Sequence, residues 1–121
     1  MTFKSIPEVA KALRAFAAER DWDKFHTPKN LAAAMSVEAA EVLEHFQWLT
    51  DKEGASLKAG KKEEVALELA DVFLYLVRLS DRLGVDLLKA AQRKMAINAK
   101  SYPAEFTRGA IRKKPRGAIG R

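Results

Sequence analysis

Twenty-two lysines and arginines against sixteen aspartates and glutamates give this 121-residue chain a formal charge of +6. Arg108, Arg112, Lys113, Lys114, Arg116 and Arg121 account for that excess, so residues 1–107 are neutral and the high pI belongs to a tail rather than to a basic nucleic-acid-binding domain. The absence of cysteine excludes disulfides, zinc–thiolate sites, iron–sulfur clusters and thiol chemistry, and no apolar run approaches the ~20 residues that span a bilayer.

Proline and glycine divide the remainder into four helical segments. Ser5-Ile6-Pro7-Glu8 reads as a helix start, with Ser5 as N-cap and Glu8 completing a capping box. The helix is expected over 7–20, with Val9, Leu13, Phe16 and Ala17 on one face. Lys4, Glu8 and Lys11 interrupt the apolar stretch that a signal peptide would need, and the expected compartment is cytoplasmic. Asp21-Trp22-Asp23-Lys24-Phe25-His26 follows, too aromatic for an ordinary solvated loop.

Thr27-Pro28 opens a second helix, expected over 28–48, with proline at the position where its missing N–H costs nothing. Residues 49–62 carry Gly54, Gly60 and many charges, which describes a loop. A third helix is expected over 62–83, closed by Gly84, and a fourth over 87–99, capped by Asp86 and ended by Pro103. No strand alternation is visible, so the class is all-α: a four-helix bundle in one domain, residues 1–106. Residues 107–121 are too polar and too rich in glycine to pack and are expected to be a disordered basic tail.

The acids carry the chemistry. Glu38, Glu41 and Glu44 lie on the second helix, and Glu64, Glu68 and Asp71 on the third, each trio on one helical stripe. No lysine or arginine lies between Met35 and Thr50, nor between Val65 and Val77, and both stripes have apolar flanks. Acidic stripes are usually solvated faces, but two of the same form, Glu38-x-x-Glu41 and Glu68-x-x-Asp71, bring four carboxylates together if the helices pack antiparallel. Left alone they would repel or take up protons. A hard divalent cation bound through oxygen removes the conflict, and an all-carboxylate set suits Mg²⁺ or Mn²⁺ rather than zinc. A di-iron bundle needs a glutamate three residues before a histidine; Val42 holds that position before His45, and Asp23 before His26.

These residues resemble a known family. Glu38-Ala39-Ala40-Glu41 with Glu68-Leu69-Ala70-Asp71 is similar to the divided metal motif of the MazG-like all-α nucleoside triphosphate pyrophosphohydrolases. The segment from Glu19 to Leu31, Phe46-Gln47-Trp48, Asp71 to Val77, and Lys94-Met95 with Asn98 and Tyr102-Pro103 resemble its dCTP pyrophosphatase branch. The match covers about residues 5–103. It implies Mg²⁺-dependent hydrolysis of a nucleoside triphosphate to monophosphate and pyrophosphate, by dimers or tetramers with sites built partly between subunits. Glu38, Glu41, Glu68 and Asp71 are then the metal ligands, and one carboxylate, Glu41 being the first choice, orients the attacking water. Trp22, Phe25, His26 and Trp48 offer an aromatic base pocket, Tyr75 and Asp71 contacts to sugar or base, and Lys94 and Asn98 contacts to phosphate, sugar or base. Leu13 stands where close relatives place a histidine that reaches the nucleotide, which leaves base preference open among dCTP, 5-modified dCTP and a broader set.

Two other readings stand beside this one. A non-catalytic helical interaction protein would use its acidic stripes to bind a partner, although all four metal positions are carboxylates. A protein driven by its tail would bind nucleic acid weakly, with steep salt dependence and no sequence preference.

Overall fold

Local sequence explains most helix boundaries in the computed structural model, which describes residues 1–113. α1 (Ile6–Glu19) starts at Ser5, whose side chain accepts from the Glu8 N–H at 3.3 Å. Glu8 reaches back one residue further than a capping box requires, accepting from the Lys4 N–H. α2 (Pro28–Glu44) is capped by Thr27, which accepts from the Asn30 N–H at 3.2 Å. It ends four residues short of the expected boundary. From His45 the chain tightens: His45 N–H donates to the Val42 carbonyl, and Phe46 N–H to that of Leu43.

The segment expected to be a loop is largely helical. Thr50 and Glu53 form a reciprocal capping box, at 3.1 and 2.9 Å, around a single turn, α3 (Asp51–Gly54). α4 then begins at Ala59 rather than at 62 and runs to Arg82. Its end is a Schellman motif: Gly84, at φ +68°, donates to the Asp81 carbonyl and Val85 to that of Ser80. α5 (Leu87–Ser101) starts at Asp86, which accepts from the Lys89 N–H at 3.0 Å, and α6 (Ala104–Thr107) is one further turn.

The all-α class holds: among the described residues there is no strand. The chain divides into two compact units, Met1–Val85 and Asp86–Arg121. In the first, α4 packs against both α2 and α1. Val9, Ala10 and Val77 form the core there, with Ile6, Leu13 and Leu74 against them, and Leu31 and Val77 are the largest side chains fully enclosed. In the second unit, the Arg112 guanidinium lies 4.3 Å from the centre of the Phe106 ring. That contact falls within the first part of the expected basic tail; residues 114–121 lie outside the described residues. No helix among the described residues is long and apolar enough to cross a membrane.

Candidate active site

α2 and α4 bring three carboxylates together. Glu38 and Glu41 stand one turn apart on α2, Glu68 faces them from α4, and one oxygen from each lies within 4.8 Å of the others. All three are half-buried. Glu38 Oε2 and Glu68 Oε2 are enclosed with no hydrogen-bond partner. The Glu38 carboxyl is pushed up to about 7, first by its hydrogen bond with Glu41, then by burial and by the charges of Glu41, Asp71 and Glu68. Glu68 is also raised, by burial first and then by Glu41 and Asp71. His45 Nε2 is 4.0 Å from Glu68 Oε1. Orphaned carboxylate oxygens beside other carboxylates are unfavourable unless protonated or coordinated. An oxygen-only donor set of this kind fits a hard divalent cation.

Asp71 lies outside the close trio. It lines a cavity of about 390 Å³ with Leu13, Phe16, Trp22, His26, Leu74, Tyr75 and Arg78, a volume typical of small-molecule sites. Its charge contributes to the raised pKa of both Glu38 and Glu68. Glu44 and Glu64, the outer members of the two stripes, are solvated, and Glu64 pairs with Lys61 at 3.4 Å.

The backbone after α1 positions the aromatic wall. Asp21 takes a left-handed conformation, φ 55°, one of the few non-glycine residue types that do so readily. The chain doubles back there, so that Trp22 N–H donates to the Ala17 carbonyl at 2.9 Å. Trp22 then meets Phe16 edge-on at 5.7 Å and His26 at 6.1 Å. His26 has its pKa lowered, by burial first and then by Arg78, with Asp23 acting the other way.

Of the residues chosen from sequence, Trp22, His26, Asp71 and Tyr75 share the cavity, and Glu38, Glu41 and Glu68 form the carboxylate cluster. Phe25 and Trp48 are not brought to that cavity; both are exposed, Trp48 at 87%. Lys94 and Asn98 lie on α5, in the second unit. Sequence reasoning passed over Arg78 and Arg82. Their helical register with Asp71 and Tyr75 was the available signal, since residues three, four and seven apart share one face.

An all-α protein whose carboxylates converge from two helices beside an aromatic cavity belongs with the all-α pyrophosphatases. A pyrophosphatase from Archaeoglobus fulgidus superimposes with a TM-score of 0.78 at 40% identity, covering 85% of this chain and 96% of that one. Human dCTP pyrophosphatase 1 is 43% identical over 120 residues, covering 95% of this chain and 71% of the human protein; the mouse protein of the same name is 42% identical. The MazG-like family model matches residues 33–113. The chain belongs to the MazG-like family and is a pyrophosphohydrolase.

Proposed function

We propose that this enzyme hydrolyses a deoxynucleoside triphosphate, dCTP or a 5-modified dCTP, to the monophosphate and pyrophosphate in the cytoplasm, clearing it from the nucleotide pool. The observation that carries the reading is the carboxylate trio with two orphaned oxygens, next to a cavity with an aromatic wall. Glu38, Glu41 and Glu68 hold Mg²⁺, or Mn²⁺ in its place, with Asp71 as the fourth acid at the cavity edge. When bound, the cation supplies positive charge against the triphosphate.

Glu41 lies within the mutual contact of the three carboxylates, and its hydrogen bonds raise the pKa of both Glu38 and Glu68. In the proposed reaction it orients a water in line with the α-phosphorus and takes its proton as the new P–O bond forms. The bond to the bridging oxygen breaks and pyrophosphate leaves. Trp22 and His26 wall the base, and Tyr75 and Asp71 reach the base or the sugar. On the resemblance, Lys94 and Asn98 contact the phosphates, the sugar or the base.

The proposed assembly is a homodimer or a homotetramer built from two dimers. Leu43 on α2 and Leu69 and Phe73 on α4 remain exposed, and such apolar faces suit a partner copy. Phe25 and the almost bare Trp48 then close the base pocket of a neighbouring copy. The test is release of pyrophosphate from a panel of natural and modified dNTPs, with and without Mg²⁺. Release is expected from dCTP or its 5-modified forms only with the cation. No release from any nucleotide, or release unchanged by Glu41→Gln, overturns the proposal.

A further inference from the structure

Arg78 is a charged side chain inside the first unit, with a relative exposure of 3%. A guanidinium cannot give up its proton there, so burial demands partners. It has them: Nη2 donates to Asp23 Oδ1 at 2.6 Å, Nη1 lies 3.9 Å from Asp81 Oδ2, and Nε donates to His26 Nδ1 at 3.1 Å. Arg82 Nε adds a bond to the His26 backbone carbonyl at 3.1 Å. α4 therefore holds both the ring and the backbone of His26.

The contact with Nδ1 has a chemical consequence. Arginine carries donors only, so the nitrogen that meets it must present a lone pair. A neutral imidazole then bears its hydrogen on Nε2, and a hydrogen on Nδ1 would set one N–H against another. His26 lines the cavity with Leu13, Phe16, Trp22 and Tyr75, and its Nδ1 is already engaged, which leaves Nε2 as the polar atom for that space. These largely apolar walls suit a nucleobase better than a phosphate.

We propose that Arg78 is a positioning residue that fixes His26 as a neutral imidazole, its Nε2–H held as a donor to a hydrogen-bond acceptor on the base, a carbonyl or ring nitrogen. This rests on the proposed nucleotide activity and adds a residue that sets base selection. An uncharged donor in an apolar wall rejects bases that offer no acceptor at that point, because the donor is then left unpaired.

The test joins nitrogen NMR of the substrate-free protein with steady-state kinetics. The wild-type ring is expected to carry its hydrogen on Nε2, and Arg78→Ala to leave a mixture of tautomers. Arg78→Ala is expected to raise KM about tenfold while kcat falls less, the scale of one lost hydrogen bond. Arg78→Lys restores part of the loss, because lysine donates to Nδ1 without the second arm of the fork. In a His26→Ala background, Arg78→Ala adds little, since Arg78 acts through the ring. A hydrogen on Nδ1, an unchanged KM in an active Arg78→Ala enzyme, or a full additive loss in the double variant overturns the proposal. Inactivity of the wild type toward every nucleotide overturns the proposed activity and with it the base as acceptor, whatever the tautomer.

Discussion

Two ends of one helical stripe solve the problem of buried charge in opposite ways. On α4, Glu68 meets like charge from Glu38 and Glu41, with His45 Nε2 no nearer than 4.0 Å, and two of the oxygens in the cluster have no hydrogen-bond partner. Two to three turns further along, Arg78 finds opposite charge and an acceptor within its own chain, through Asp23, Asp81 and His26. The acidic end is complete only with something added from solution. The basic end is complete already, and what it contributes is orientation. A cluster of half-buried acids without counter-charge and a buried base with partners therefore point to different tasks, coordination in the first and positioning in the second.

The sharpest break in this contrast is Glu41→Gln, which removes one acid and the proposed acceptor of the water proton. Pyrophosphate release is expected to fall by about 10²–10⁴-fold, the usual worth of a general base. Fold should persist, as a circular dichroism spectrum would check, because the change relieves repulsion. The second effect is on stability against pH. The folded pKa of Glu38, about 7, lies above its ordinary value of 4.5. The stability linked to this proton is thus full below pH 4.5 and lost as pH rises through about 7.

Metal-free protein should accordingly melt at lower temperature as pH climbs through that window. Mg²⁺ must displace the proton to bind, so its stabilising shift should be larger at about pH 8 than at about pH 5.5. Glu38→Gln should flatten both trends in thermal melts. Third, the exposed Trp48 can be tested by mixing. If it serves a neighbouring copy, subunits carrying Trp48→Ala mixed with subunits carrying Glu41→Gln should recover part of the activity that each lacks alone. Kinetics after subunit exchange would show no recovery if each copy uses its own tryptophan.

The smallest effect concerns the turn that presents Trp22. Asp21→Val places a β-branched residue at φ 55° and should cost about 1–2 kcal/mol in urea unfolding. Asp21→Gly should stay near neutral, because glycine adopts that region freely.

The acidic end was legible in the sequence and the basic end was not. Glu38, Glu41 and Glu68 stand out because helical period and the lack of lysine or arginine in the stretch around each acidic pair are local properties. The reach of Arg78 to His26 and Asp23, 52 and 55 positions away, is a product of packing that no local pattern carries. Polar composition also misled: between 49 and 62 it suggested a loop, while Thr50 and Glu53 already spelled a capping box. The expected second helix ran on to Trp48 because its apolar spacing continues, yet tighter turns replace it after Glu44.

The small core of the first unit has a consequence for handling the enzyme. Its enclosed apolar residues are Val9, Ala10, Ala17, Leu31, Val65 and Val77, three of them valine and two alanine. If copies cover the leucines and aromatic rings left outside, much of the folding free energy is intermolecular, and dilution acts as a denaturant. The melting temperature would then climb with protein concentration, and an assay at nanomolar enzyme would sample a different population from one at micromolar.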